Sequence, residues 1–299
     1  MQRVLAWAAR PAGRDGIAPY IFLVPILVVM LGLIAWPLLD SVATSLTDRS
    51  VGRPGRFVGL ANFATLFADP VYLRAALNSL IITVAAVGLK LVIGVAAAVL
   101  LFQPMPLRGL VRALVFLPWA VPGLIAGLTW RWIYDEQVGI LNFLVLASGI
   151  AAAPVAWLSD PTLGLTSIII ATVWHGLPFF IMMFLAGLSA IPRDLYEAAA
   201  LDGAGAWRRF TAVTLPGLRD VIAITVMLSA IWTFNSFHMV FILTGGGPAN
   251  LTHILPTIAY EYGIGRTRLG LGAAVMVSVM PLFIILISLL TRRMLAEKA

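Results

Sequence analysis

Six stretches of this chain are each long and apolar enough to cross a lipid bilayer, and that excludes most folds. They are Ile17–Leu39, Leu77–Phe102, Leu110–Ile133, Leu163–Ala190, Val221–Leu243 and Leu269–Leu290. The hydrocarbon core is about 30 Å thick, so a spanning helix needs about 20 mostly apolar residues. A lone strand in lipid would leave backbone groups unpaired, so every stretch is expected to be helical. The expectation is an all-α membrane protein, one domain over residues 1–299 with six transmembrane helices. Composition points the same way: 11% of residues are charged, against about a quarter in soluble chains. Prolines at 25, 118, 122, 178 and 281 fall inside these stretches. Kinks there are tolerable where neighbouring helices satisfy the freed backbone. The first stretch is too long, and followed by no clean small-x-small site, to read as a cleavable signal.

The formal charge of +7 is almost all arginine, the only lysines being Lys90 and Lys298. Arg3, Arg10, Arg14, Arg108, Arg112, Arg193, Arg208, Arg209, Arg219, Arg292, Arg293 and Lys298 fall on one side of the expected membrane. Arg49, Arg53, Arg56, Arg74, Arg131, Arg266 and Arg268 fall on the other. The positive-inside rule places both termini in the cytoplasm. Basic residues flanking apolar spans set membrane orientation, so no nucleic-acid partner is expected. Trp36, Trp130, Trp132 and Tyr134 are then expected near the outer interface. With no cysteine, thiolate metal sites and cysteine nucleophiles are excluded. No convergent catalytic set and no metal site is legible. No phosphate-cradling G-x-x-x-x-G-K-[ST] occurs, so the chain is expected to be no ATPase and to bind no cofactor itself.

Between the fourth and fifth spans the chain runs from Ile191 to Pro216. Pro192 followed by Arg193–Ala200 reads as a helix start, with Asp194 favourable at its positive end. Ala198, Ala199 and Ala200 combine helix propensity with little bulk. Asp202-Gly203 then stops the helix, glycine accepting a left-handed cap. The expected product is a short, small-faced helix at the cytoplasmic surface.

This loop resembles the EAA motif of ABC importer permeases, with Glu197-Ala198-Ala199, Asp202-Gly203-Ala204, Phe210 and Pro216 in the family's places. Asn78-Ser79-Leu80, Leu117-Pro118-Trp119-Ala120-Val121-Pro122 and Leu243-Thr244-Gly245-Gly246-Gly247-Pro248 resemble the carbohydrate-uptake group, that of the larger maltose and glycerol-3-phosphate subunits. The maltose subunit has extra N-terminal spans and a large periplasmic domain, so the likeness is to shorter members. The resemblance implies a type I importer permease fold in a bacterial inner membrane. It implies four kinds of partner: a second homologous permease, two ATP-binding subunits carrying ATP and magnesium, an extracytoplasmic solute-binding protein, and lipid. Glu197, Ala198, Ala199, Asp202 and Gly203 would dock the ATPase, with Glu197 meeting a basic residue and Gly203 serving as pivot. A helix-terminus hydrogen bond is an equal reading of Asp202.

Polar groups within spans usually face a cavity or the bundle interior. Three clusters qualify: Trp119 and Gly123; Thr172, His175, Gly176 and Phe179; and Ser229, Trp232, Thr233, Asn235 and Ser236. Aromatic faces with hydroxyl or amide donors suit a sugar, and these frames resemble those lining the sugar site of the maltose-type subunit. Helix packing and backbone bonding are competing readings for each residue. Lys90, deep in the second span, is either a cavity-facing charge or a contact to the second permease. Glycerol-phosphate uptake is an alternative within the class. An ion-coupled secondary transporter would call for paired intramembrane acids, which the spans lack.

Overall fold

The computed structural model describes residues 18–296, and among these the chain is all helix, turn and loop, with only isolated bridges such as Thr47 to Phe57. Helix α1 runs over residues 18–45 and widens into a π-turn at Met30–Ala35. Pro37 follows two residues later; lacking an N–H, it disturbs the preceding turn, and the wider π geometry absorbs this. The same device recurs at Phe210–Thr214, two residues before Pro216. Next come α2 (Ala61–Ala68), α3 (Pro70–Phe102), α4 (Arg108–Ala120), α5 (Gly123–Ile133), α6 (Ile140–Ala147) and α7 (Pro161–Ala190). After α7 follow α8 (Arg193–Leu201), α9 (Ala206–Gly217), α10 (Arg219–Phe234), α11 (Phe237–Leu243), α12 (residues 255–265) and α13 (Leu269–Ala296).

Asp69 and Asp160 begin the two long helices α3 and α7. Each carboxylate accepts from backbone N–H groups of the first turn, with Pro70 or Pro161 at the first helical position, where a missing N–H costs nothing. These two helices pack along each other and form the axis of the molecule. Val87, Val95, Ala98, Phe180, Ile181 and Phe184 are buried between them. In lipid there is no hydrophobic drive between helices, so this interface rests on close packing. Arg108 and Arg112 donate to the Leu101 and Phe102 carbonyls at the C-terminus of α3, where cations complement the helix dipole.

Among the described residues three helices are long and apolar enough to span, namely α1 from Phe22, α3 and α7. The bent pairs α4/α5 and α9/α10 raise the number to five when each is one span, and the shorter apolar stretch Leu269–Ile285 lies where the sixth is expected. The termini, with Arg3, Arg10, Arg14 and Lys298, lie outside the described residues. Helix α1 touches the bundle mainly through its second half, against α13, leaving Phe22, Leu33 and Trp36 widely exposed. Exposed apolar side chains of this density are at home in lipid or against another membrane subunit. The aromatic-belt expectation needs a correction. Trp36 and Trp132 are exposed, but Tyr134 is buried between Trp130 and Trp157 and donates to the Ser167 carbonyl at 3.3 Å. A belt residue presents its ring to the interface; this one fills the core.

Candidate functional site

Two of the spans are broken, and the breaks lie beside the polar residues of the interior. Helices α4 and α5 meet at 96° across Val121-Pro122. Pro122 has no N–H and its ring excludes a helical neighbour, so the first segment ends there. The Val121 carbonyl is met by His175 Nε2 at 3.0 Å. A carbonyl accepts only, so His175 carries its proton on Nε2. The second break separates α10 from α11 at Asn235-Ser236, where the Phe237 N–H turns back to the Asn235 carbonyl at 2.7 Å. Irregular backbone at membrane depth is tolerated where it is buried in protein or lines a cavity.

A cavity of about 170 Å³ lies between the breaks. Trp119 comes to its wall from α4; Thr172, His175, Gly176 and Phe179 come from α7. Ser229, Trp232 and Thr233 come from α10, and Ser236 from the second break. Three separately chosen sequence clusters thus share one wall. Trp119 and Trp232 are about half exposed, while Phe179 and Trp232 pair at 5.0 Å between ring centroids.

Two expected pathway residues stand outside it. Gly123 opens α5 just behind His238, and a Cβ there would lie 2.5 Å from its Nε2. Its small size therefore admits a wall residue without lining the wall. Asn235 is exposed, folds its amide back to the Ile231 carbonyl at 2.9 Å, and faces a separate apolar cleft with Leu38 and Phe283. As the residue ending α10 it spends its donor on the helix that it caps.

Lys90, for which a cavity-facing position was one of two expectations, is in the wall, and two wall residues, His238 and Met239, were not expected. Lys90 is 3% exposed, and its Nζ donates to Ser229 Oγ at 2.8 Å and Thr233 Oγ1 at 2.9 Å. The Phe180 ring lies 5.6 Å from the ammonium. Gly176 makes the room, since a Cβ there would come within 3.2 Å of Nζ. His238 pairs with His175 at 6.5 Å between centroids. An intramembrane histidine one residue past Phe237 was a readable polar signal; the apolar frame around it hid it. No aspartate or glutamate lines the cavity.

At one end of the bundle, a polar crevice of about 610 Å³ is lined by Arg131, Asp135, Glu136, Gln137, Thr244 and Pro248, among others. Backbone N–H groups of Val138 and Gln137 hold the Asp135 carboxyl below its usual range. Asn142 braces the rim, its amide serving Glu136 and Val155 carbonyls while its oxygen accepts from the Val155 N–H and Trp157 Nε1. The Asn78-Ser79 motif has a comparable duty. Asn78 donates to the Leu251 and His253 carbonyls at 2.8 and 3.0 Å, and Ser79 Oγ accepts from the Leu255 N–H. It clamps the segment after the triple glycine to α3.

At the opposite end, α8 spans Arg193–Leu201 with Asp202 at its C-cap. Gly203 has φ +74°. Its N–H reaches the Ala200 carbonyl and that of Ala204 the Ala199 carbonyl, which is a Schellman stop. Nothing lies within 4 Å of where a Gly203 Cβ would be, so backbone conformation alone demands glycine. Glu197, Ala198 and Asp202 are exposed and Ala199 is half-buried. The Glu197 side chain makes no hydrogen bond or ion pair among the described residues, and Asp202 bonds only through its backbone. Leu195, Leu201 and Trp207 are also exposed. Tyr196 ties the helix down, its hydroxyl 3.0 Å from Thr214 Oγ1.

Residues 90–297 match the family described as binding-protein-dependent transport system inner membrane component. The chain is 34% identical over 259 residues to the trehalose/maltose transport system permease protein MalF of Thermococcus litoralis, covering 84% of this chain and 87% of that one. It is 34% identical over 276 residues to the diacetylchitobiose uptake system permease protein DasB of Streptomyces coelicolor, covering 90% and 84%. A chain from the crystal structure of a bacterial ABC transporter involved in the import of the acidic polysaccharide alginate superposes with a TM-score of 0.79. That match has 22% identity over 92% of this chain and 95% of the other. At that identity the likeness establishes the fold, with the helix breaks as features of this chain's own geometry.

Proposed function

Because this chain belongs to the binding-protein-dependent transport system inner membrane components, we propose that it is the permease subunit through which an ATP-driven importer passes a carbohydrate. The observation that carries the reading is the cavity between the two helix breaks. It joins Trp119, Phe179 and Trp232 to the hydroxyls of Thr172, Ser229, Thr233 and Ser236. Aromatic rings receive the C–H faces of a sugar ring, and hydroxyls pair with its oxygens. Transporter sites formed by discontinuous helices near mid-membrane follow the same logic. Relatives named for trehalose, maltose and diacetylchitobiose uptake support a sugar or oligosaccharide as cargo.

In this reading the chain supplies one side of the pathway and a second, homologous permease the other. The half-exposed Trp119 and Trp232 mark the open side. An extracytoplasmic binding protein delivers the sugar to the outer crevice, a reading supported by the solved alginate transporter in complex with an alginate pentasaccharide-bound periplasmic protein. Two ATP-binding subunits, carrying ATP and magnesium, dock on α8. There exposed Leu195, Leu201 and Trp207 offer apolar contact and the unpaired Glu197 offers a charge. Closure of the ATPases pushes α8, and the Tyr196 to Thr214 contact passes the displacement to the segment leading into α10, which carries Ser229 and Thr233.

Copurification with a second permease and two ATPase subunits, followed by reconstitution into liposomes with the binding protein, tests the assembly. ATP-dependent accumulation of a radiolabelled oligosaccharide is expected. Accumulation driven by a proton or sodium gradient without the ATPase would overturn the reading in favour of an ion-coupled carrier.

A further inference from the structure

The cavity has a chemical polarity that a site for neutral sugars does not require. Lys90 Nζ has three N–H donors and no acceptor. Two of them go to Ser229 Oγ and Thr233 Oγ1. A serine or threonine inside a helix commonly returns its own proton to the carbonyl four residues back, as Thr225 does to Val221. Ser229 and Thr233 make no such bond among the described residues. Each accepts from the lysine, and each is left with an O–H to donate. Thr172 Oγ1, on the facing helix, is buried without any partner in a residue 7% exposed. These four residues line one cavity of about 170 Å³, which thus has a third ammonium N–H and three hydroxyl protons to offer around a cation with no carboxylate beside it.

Buried cations are retained where a counter-charge completes them, because an unpaired charge at this depth is costly. The described residues supply no counter-charge to Lys90. The Phe180 ring face offers partial compensation, and Gly176 holds the space in which the ammonium sits. We infer that Lys90, Ser229, Thr233 and Thr172 form an oxyanion subsite, so that the cargo is an acidic carbohydrate that seats one carboxylate there. A carboxylate has two oxygens and about four acceptor positions, which matches the donors present. A phosphate monoester brings close to two charges against a single lysine and fits less well. The inference rests on the carbohydrate-pathway reading above and narrows it to one class of cargo.

The test uses the whole importer, with its second permease and ATPase subunits, in lipid nanodiscs without binding protein. Titration calorimetry compares trigalacturonate with its methyl ester, which keeps the sugar skeleton but removes the charge; glycerol 3-phosphate is a third probe. The acid is expected to bind about ten-fold or more tighter than the ester, the scale of charge-assisted hydrogen bonds. Lys90→Met is expected to abolish that preference, and Lys90→Arg to retain most of it. Equal binding of acid and ester, or a preference that survives Lys90→Met, overturns the subsite and leaves the sugar pathway standing. Glycerol 3-phosphate binding more tightly than trigalacturonate overturns the carboxylate match. Failure of every probe overturns the subsite, while the liposome uptake assay above decides the sugar pathway. Should Lys90→Met not assemble, the acid-to-ester ratio of wild type and Lys90→Arg decides.

Discussion

His175 Nε2 stands 3.0 Å from the carbonyl oxygen of Val121, joining α7 to the point where α4 ends. The break therefore has a partner for the acceptor that Pro122 leaves outside helical pairing. His175→Leu would bury that carbonyl unpaired, at a cost of about 1–3 kcal/mol. A lower thermal midpoint for the detergent-purified assembly is expected, with His175→Gln recovering part of it through its amide N–H. A proton-relay role makes a different forecast: His175→Gln would stay stable yet lose the pH dependence of uptake. Uptake measured across pH in that variant separates the two.

The clamp on the loop after the triple glycine is equally specific. Asn78 serves two carbonyls, those of Leu251 and His253, with one amide group. Asn78→Ala strands both, and a loss of about 1–3 kcal/mol is expected. Hydrogen exchange should localise it: amides of residues 244–255 exchange faster, while those in the middle of α7 are unchanged.

His253 makes that same loop sensitive to acid. Burial is the main reason its imidazole titrates below the ordinary histidine range; Glu261 opposes the shift and Arg266 adds to it. The unfolded loop then binds a proton more readily than the folded one, so stability rises with pH across this window. It is complete above the ordinary value near 6.5 and declines as pH falls from there toward the folded value. Thermal midpoints recorded between about pH 7.5 and 5 should fall on acidification, and His253→Gln should flatten the slope. A slope unchanged by His253→Gln would assign the effect to other groups.

What could be read from the sequence divides by range of interaction. Helix α8 and its stop were legible because Pro192, the alanine run and Gly203 act within a turn or two of themselves. The three polar clusters were legible because depth in lipid makes any hydroxyl or indole conspicuous. Which proline breaks a helix was not legible. Pro25, Pro178 and Pro281 lie inside continuous helices, whereas Pro122 ends one, and the Val121 carbonyl at that end is met by His175, more than fifty positions away. Lys90 could be read as cavity-facing or as a contact to a second permease but not given its partners, because Ser229 and Thr233 approach it from a helix well over a hundred residues downstream. Asn235 stands outside the cavity for the opposite reason: its amide is taken up locally, by its own helix.

In the proposed docking of α8, Gly203 acts through conformation alone. An alanine there must hold φ near +74°, at a cost of roughly 1–2 kcal/mol, with no clash to relieve since the space around it is open. Gly203→Ala is therefore expected to lower ATP-dependent uptake several-fold by loosening the end of α8, and Gly203→Asn to be milder, asparagine tolerating the left-handed region better.

Glu197 tests the docking surface itself. It is exposed on α8 and is unpaired among the described residues, so replacing it removes no internal contact of this chain. Glu197→Arg should leave expression and membrane insertion at wild-type level. It would place a positive charge against the basic ATPase residue that the proposed docking requires, and like charges in a desolvated interface repel by several kcal/mol. Two measurements on the reconstituted assembly are then expected to part company. Basal ATP hydrolysis by the ATPase subunits persists, while its stimulation by sugar-loaded binding protein, and uptake with it, is lost. Glu197→Gln, which removes the charge without reversing it, should fall between. Uptake at the wild-type rate in Glu197→Arg would mean that α8 meets no basic partner, and the contact carrying the ATPase stroke would have to lie elsewhere on the exposed surface around Leu195, Leu201 and Trp207.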